Sequence, residues 1–153
     1  MITAWRIVDP AYIDDAFTGK GARMNGGRWN SPGTAIVYTA SIISLATLEL
    51  IVNVPRARRL PQYNLISCSF HEALVEDLDR GSLPANWRTY PAPPEVQEIG
   101  ERWIHEKRSA VLKVPSAVVE EDCNYLLNPA HEDFKSIDVG AARPFKLDYC
   151  LLT

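Results

Sequence analysis

The sequence is poor in the residues that build metal sites and disulfide frameworks. Its 153 residues include only three cysteines, Cys68, Cys123 and Cys150, and three histidines. The cysteines are odd in number and far apart, and they form neither a CxxC pair nor a Cys/His cluster at zinc spacing. We therefore expect reduced thiols in a cytoplasmic protein, with Cys68 in the core and no metal site.

Long apolar runs and strong charge are also missing. No stretch is long enough to span a bilayer, and the first ten residues, MITAWRIVDP, lack the charged start and apolar run of a signal peptide. The net charge of −3 argues against broad, nonspecific binding of nucleic acid. One local basic cluster exists, at Arg56, Arg58 and Arg59, and we interpret it as a solvated turn after a helix.

What remains is ordinary for a globular protein of one domain, spanning residues 1–153. Hydrophobic residues make up 46% of the chain and charged residues 23%, and this length can bury a core without disulfides or metals. There is no internal repeat, low-complexity tract or dividing linker. Short strand patterns are interrupted by two helices without strict βαβ alternation, which predicts an α+β fold with a mixed, mostly antiparallel sheet.

The local patterns predict the following elements. Strands are expected at 4–8, 35–39, 63–70, 110–114 and 145–151, and the strand at 110–114 can resume at 116–119. Helices are expected from the N-cap Ser41 to about Asn53 and from Pro94 to about Arg108, with one or two helical turns at 11–17. Loops are expected at 19–33, 72–94 and 124–129.

Residues 24–33, MNGGRWNSPG, have no periodicity that could build a helix or a buried strand. Glycines let a backbone approach a ligand closely, and Arg28 offers a planar fork of donors for phosphate or carboxylate. This segment is therefore interpreted as a fixed, exposed binding loop. The alternative is that Gly26 and Gly27 simply make a turn. The loop matches neither the P-loop nor the GxGxxG fingerprint.

Five other residues stand out by their surroundings. Glu49 lies within an apolar helix, so it is either on an exposed stripe or in a cleft, where it could orient a ribose hydroxyl or stabilise a cation. Tyr38 ends a strand. It is either a residue at the edge of the core with its hydroxyl in solvent, or a platform on which an aromatic ligand stacks. For Arg6 in the first strand we favour a solvent-facing side chain over one lining a cavity. Ser116 lacks the GxSxG context of a nucleophile, and Asn124 is typical of a turn.

Taken together, these segments resemble the RES domain, a family named for an arginine, a glutamate and a serine. The resemblance runs from Trp5 to about Phe145. It is carried by GAR at 21–23, GGRWNSPG at 26–33, YTA at 38–40, SLATLE at 44–49, VPS at 114–116, NYLLNP at 124–129 and FK at 134–135. It implies an ADP-ribosyltransferase-like fold and the role of toxin in a bacterial RES–Xre toxin–antitoxin pair.

The resemblance also implies an activity, with NAD+ as the substrate and no separate cofactor. Glu49 would bind the nicotinamide ribose and stabilise its cation, and Arg6 and Arg28 would hold the pyrophosphate or ribose. The family's reactions all break the bond between nicotinamide and ribose, by hydrolysis, by phosphorolysis or by transfer of ADP-ribose to a protein. A module that binds a nucleotide or a partner without turnover is the alternative from another class.

The same resemblance assigns substrate contacts and partners. Tyr38 would stack against nicotinamide, and Ser116 would hydrogen-bond near the ribose or amide. Asn124 would contact substrate or hold its own loop. An Xre-family antitoxin is expected to cover the cleft, a homodimer is plausible, and nucleic acid would be met only through the antitoxin.

Overall fold

The computed structural model describes residues 1–153 and joins eight strands in one sheet. The strands are β1 (Ile2–Val8), β2 (Val37–Ala40), β3 (Gln62–Phe70), β4 (Val75–Asp77), β5 (Val111–Pro115), β6 (Cys123–Leu127), β7 (Asp138–Val139) and β8 (Arg143–Lys146). The sheet order is β4-β5-β6-β2-β1-β3-β7, and β8 also pairs with β3. Only β4 and β5 run parallel. The predicted α+β class with a mostly antiparallel sheet is confirmed.

Three α-helices accompany the sheet. They are α1 (Lys20–Asn25), α2 (Ile43–Asn53) and α3 (Pro94–His105), and short 3₁₀ turns fill several connections. Helix α3 begins at a proline, as a first turn allows. Helix α2 packs on β1 and β2 and is short, because Val54 takes an extended conformation before Pro55. No helix combines the length and the apolar character needed to cross a membrane.

Both faces of the sheet are buried where β5 and β6 pair. Val111 and Leu127 enter one apolar cluster, which also contains Cys68 as predicted. Their neighbours Leu112 and Leu126 enter another, together with residues of α3 and the glycine-rich loop. Successive strand residues point to opposite faces, so adjacent apolar residues serve two cores.

Helix α3 lies unusually close to the glycine-rich loop. A Cβ atom at Gly100 would stand 2.0 Å from the carbonyl oxygen of Trp29, so only glycine permits this approach. Trp29 is 2% exposed and packs with Trp103 of the same helix. The loop is therefore anchored by a core residue.

Several local predictions were wrong. Residues 124–129 were expected to be a loop, but residues up to Leu127 belong to β6, which pairs with β2 and β5. The last strand ends at Lys146, because Asp148 accepts a hydrogen bond from the amide of Cys150 and starts a 3₁₀ turn. The 19–33 loop contains α1, and Ile42, without a side-chain bond, occupies the N-cap position expected for Ser41.

Two further predictions need correction. The strand does not resume at 116–119, because Ser116 Oγ accepts hydrogen bonds from the amides of Val118 and Val119 and closes a turn.

In the basic cluster, Arg56 and Arg58 are exposed, but Arg59 is half-buried. Its guanidinium donates to the carbonyls of Ile51, Val54 and Leu151. That arginine therefore caps the C-terminus of α2, which the partial negative charge there favours.

Candidate active site

One cavity of about 760 Å³ lies beside β1, β2 and α2. Five of the six residues predicted for the site line it: Arg6, Arg28, Tyr38, Glu49 and Asn124. They come from different elements, separated by up to 118 residues along the chain. The sixth, Ser116, is fully buried and lies behind the cavity wall.

Glu49 faces the cavity from the middle of α2 and is held at both carboxylate oxygens. Its Oε2 accepts a hydrogen bond of 2.9 Å from Ser116 Oγ, and its Oε1 accepts one of 2.9 Å from Asn124 Nδ2. Burial raises the pKa of Glu49, and the hydrogen bonds from Asn124 and Ser116 act against that rise. Of the two interpretations of this residue, the structure supports the cleft rather than the exposed stripe.

The two donors of Glu49 are themselves fixed by backbone. Ser116 Oγ accepts from the amides of Val118 and Val119 at 3.1 and 3.2 Å, so its one proton is left for Glu49. Asn124 Nδ2 also donates to the carbonyl of Thr39 at 3.1 Å. The carboxylate therefore has a fixed orientation, which a catalytic charge requires.

Arg6 does not face solvent, contrary to the interpretation we favoured from the sequence. Its Nη1 donates to the carbonyl of Tyr38 at 3.0 Å, while its buried Nε has no partner within the chain. Burial lowers the pKa of this guanidinium. A buried cation with an unsatisfied donor beside a cavity favours an anionic ligand.

Tyr38 presents its ring to the cavity and buries its hydroxyl. The hydroxyl donates to Asn30 Oδ1 at 2.6 Å and accepts from the amide of Trp29 at 3.0 Å. Burial raises the pKa of this hydroxyl above its ordinary value. A Cβ atom at Gly27 would lie 2.6 Å from the same oxygen. The core-edge interpretation predicted a hydroxyl in contact with solvent, and that prediction is wrong.

The glycine-rich loop folds tightly around the side chain of Asn30, which is completely buried. Its Nδ2 donates to the carbonyls of Ala22, Ser31 and Thr34 at 2.8, 3.1 and 3.0 Å. Gln97 of α3 binds the loop carbonyls of Gly27 and Asn30, and Glu101 accepts from Ser31. This compact fold of the loop was not predicted, because the glycine-rich and polar composition of the segment is typical of an exposed loop.

Arg28 is bound by a segment that we call the strap, residues 86–92. Its Nη1 donates to the carbonyl of Trp87 at 2.7 Å, and its Nη2 donates to that of Thr89 at 3.0 Å. The guanidinium also lies 4.5 Å from the ring centroid of Tyr90, which is a cation–π contact. Tyr90 itself lines the cavity. Sequence reasoning missed it because the surrounding prolines indicated only a connection.

Comparison with known proteins now identifies the family. A model of the RES domain matches residues 3–148. The chain belongs to the RES domain family. The glutamate and the serine that the resemblance singled out, Glu49 and Ser116, are bonded to each other in this RES domain.

Relatives of known name agree with this assignment. "Toxin Res" of Yersinia enterocolitica is 38% identical over 132 residues, which are 86% of this chain and 87% of that protein. "Prs ADP-ribosylating toxin" of Sphingobium sp. (strain YBL2) is 38% identical over 149 residues, covering 94% of this chain and 92% of that one. The chain is thus a homologue of the Res toxins.

A solved structure supports the fold. The crystal structure of the M. tuberculosis MbcT–MbcA toxin–antitoxin complex contains a chain that matches with a TM-score of 0.77. The match covers 95% of this RES domain and 84% of that chain, at 18% identity. Together with the sheet described above, this likeness confirms the expected α+β fold.

Proposed function

We propose that this RES domain is the toxin of a toxin–antitoxin pair and that it breaks the bond between nicotinamide and ribose in NAD+. The observation that carries the proposal is a single carboxylate, Glu49, oriented by Ser116 and Asn124 in a cavity that also holds Arg6 and Arg28. Such a cavity can hold a dinucleotide by its phosphates and place one negative charge at the reacting ribose.

The proposed reaction needs little acid–base chemistry. The bond from ribose C1′ to the nicotinamide nitrogen breaks, and nicotinamide leaves as a neutral molecule with the electron pair. The ribose becomes oxocarbenium-like, as in glycoside hydrolysis, and the Glu49 carboxylate stabilises it electrostatically. The oxygen of the acceptor, which is water in hydrolysis, then bonds to C1′, and the proton that this oxygen loses passes to solvent.

The surroundings of Glu49 favour this electrostatic role over that of a strong base. Both of its oxygens already accept hydrogen bonds. The cavity lining contains no other carboxylate and no histidine. General-base catalysis would need a free acceptor within reach of the attacking oxygen, whereas Glu49, the one carboxylate of the lining, already accepts a hydrogen bond at each oxygen.

Arg6 and Arg28 divide the remaining work in this proposal. Arg6 makes one hydrogen bond and has an unpartnered Nε, so it is the guanidinium more available to the pyrophosphate. Arg28 already donates through both terminal nitrogens to the strap, and it contributes charge from a fixed position. Tyr38 offers only its ring, consistent with stacking on the nicotinamide.

Product analysis tests the proposal. Purified protein incubated with NAD+ is expected to release nicotinamide, and Glu49→Ala is expected to abolish the release. Glu98→Ala is the matched control, because Glu98 is an exposed helical glutamate outside the cavity. Intact NAD+ after incubation with folded wild-type protein would overturn the proposal, and binding without turnover would indicate the non-catalytic module.

A second candidate is transfer of ADP-ribose to a protein, favoured by the relative named an ADP-ribosylating toxin. NAD+ labelled in its adenylate half distinguishes the acceptors. Label in free ADP-ribose indicates water, label in a phosphorylated product that requires added phosphate indicates phosphorolysis, and label in precipitated protein indicates transfer.

The proposed partner is an Xre-type antitoxin that covers the cavity, and it would supply any contact with DNA. We expect nicotinamide release to stop when this partner is added in equimolar amount. The oligomeric state, including the expected homodimer, can be measured by light scattering on the toxin alone and on the complex.

A further inference from the structure

The strap forms a wall of the cavity and is tied down at both sides. Arg28 binds its carbonyls from the glycine-rich loop. On the other side, Arg88 of the strap donates to the carbonyls of Ala117 and Val118 at 2.9 and 3.2 Å. Those two residues also line the cavity and follow the serine that holds the catalytic carboxylate. The strap is therefore a built wall that presents Tyr90 to the cavity.

Tyr90 differs from the other tyrosine of the cavity in what it leaves free. Tyr38 is half-buried, and its hydroxyl is hydrogen-bonded to Trp29 and Asn30 of the glycine-rich loop. Tyr90 is 56% exposed, although the Arg28 guanidinium lies 4.5 Å from its ring centroid. An aromatic ring held in place by a cation, yet largely uncovered, is pre-organised to stack on a planar ligand.

We propose that Tyr90 and Arg28 together form the subsite for the adenosine-diphosphate half of the substrate. This inference rests on the proposed NAD+ cleavage and adds which half of the dinucleotide these residues recognise. The adenine base stacks on Tyr90. The Arg28 guanidinium, whose terminal nitrogens already bind the strap, adds positive charge beside the pyrophosphate that Arg6 binds. The pair matches the ligand because an aromatic ring beside a cation complements an aromatic base joined to anionic phosphates.

Tyr90 and Arg28 are assigned to the adenosine-diphosphate half because Glu49 occupies a different part of the cavity wall. The nicotinamide ribose must lie at Glu49, since that residue is the only carboxylate in the lining. Tyr90 and Arg28 make no hydrogen bond to Glu49 or its two donors. Stacking of a base on an aromatic side chain is worth about tenfold to a hundredfold in affinity. Tyr90 is thus a specificity residue for the remote half of the substrate.

Two substrates with the same scissile bond test the inference. NAD+ carries the adenylate half, and nicotinamide mononucleotide lacks it. For wild-type protein we expect kcat/KM to be higher for NAD+. Tyr90→Ala should lower kcat/KM for NAD+ about tenfold to a hundredfold, mainly through KM, and leave nicotinamide mononucleotide unchanged. Tyr90→Phe should keep most of the preference, because the ring remains.

Tyr149→Ala is the matched control, because Tyr149 is 74% exposed and lies outside the cavity lining. An equal loss on both substrates would mean that Tyr90 only supports the fold, and it would overturn the inference. Equal wild-type rates on the two substrates would overturn it as well.

A binding measurement separates this inference from the proposed function. Should wild-type protein cleave neither substrate, the proposed function fails, and calorimetry with ADP still tests the subsite. ADP binding that weakens at least about tenfold in Tyr90→Ala supports the subsite. Equal binding by both proteins, or no binding by the wild type, overturns it.

Discussion

The cavity has two walls that use the same kinds of residue for different purposes. The carboxylate wall consists of Glu49 and Asn124, with Ser116 buried behind them, and both neighbouring side chains donate hydrogen bonds to the Glu49 carboxylate. In the arginine wall, formed by Arg28 and the strap, the charged side chain binds backbone carbonyls and an aromatic ring. The first wall fixes the position of a carboxylate, to which the proposed function gives the chemical step. The second fixes an aromatic surface, to which the further inference gives recognition of the substrate.

The difference explains why a charged residue in a cavity need not act on the reacting atoms. A guanidinium that donates to two carbonyls holds a segment in place, as a cap holds a helix end. The Glu49 carboxylate, by contrast, is itself held in place by two side-chain donors. Substitutions in the carboxylate wall should therefore change the rate of the chemical step, whereas those in the arginine wall should change substrate affinity.

Ser116→Ala is expected to have a large effect on rate, although Ser116 is not itself part of the cavity lining. Hydrogen bonds to charged groups contribute about 1.5–3 kcal/mol, so kcat should fall about tenfold to a hundredfold. Measurement of nicotinamide release at saturating NAD+ checks this, and a wild-type kcat would show that Ser116 does not orient Glu49.

The same variant should also shift the pH dependence. Burial raises the pKa of Glu49, and the Ser116 hydroxyl opposes that rise by stabilising the ionised form. Loss of this donor should raise the pKa further. Because the proposed role of Glu49 requires its ionised form, the acidic limb of the kcat profile should move to higher pH, and a shift to lower pH would contradict that role.

Arg28→Lys tests the arginine wall with a smaller expected effect. Lysine keeps the charge but loses the planar fork that binds two carbonyls at once. We expect KM for NAD+ to rise about three- to tenfold with kcat nearly unchanged, consistent with loss of one oriented contact. A fall in kcat without a change in KM would place Arg28 in the chemical step and remove the distinction between the walls.

Tyr38→Phe should have the smallest effect on activity and a clear effect on stability. The change keeps the ring but leaves the side chain of Asn30 and the amide of Trp29 without their partner. An unsatisfied buried group costs about 1–3 kcal/mol, which urea unfolding can measure. Tyr12→Phe, at a residue that is 63% exposed, is the control. A strong loss of kcat in folded Tyr38→Phe would give the hydroxyl a catalytic role.

The sequence predicted the α+β class, both longer helices and most of the central strands, because their periodicity and stop signals are local. It did not predict β6, since Asn124 and Asn128 flank a short apolar run and indicate turns. Strand pairing on both sides decides that segment, and pairing partners lie far away in the sequence.

The sequence indicated which residues lie near one another, but it did not indicate how deeply each of them is buried. Five of the residues named from the sequence do line one cavity, but Ser116 is fully buried behind Glu49. Burial depends on tertiary packing, which a motif does not encode. The burial of Trp29 could not be predicted from its glycine-rich neighbours, because it depends on Gly100, which lies far away in the sequence and leaves room for Trp29. Tyr90 was hidden because only its contact with Arg28 distinguishes it from other exposed tyrosines.

The most direct test of the central claim measures nicotinamide release from NAD+ by the wild type and by Glu49→Gln, with NAD+ affinity determined on the same samples. The substitution keeps size and hydrogen-bonding capacity while removing the charge. We expect affinity to be retained within about threefold and kcat to fall about 100- to 1000-fold, as for loss of a main electrostatic stabiliser. Nicotinamide release by Glu49→Gln at the wild-type rate would contradict this expectation.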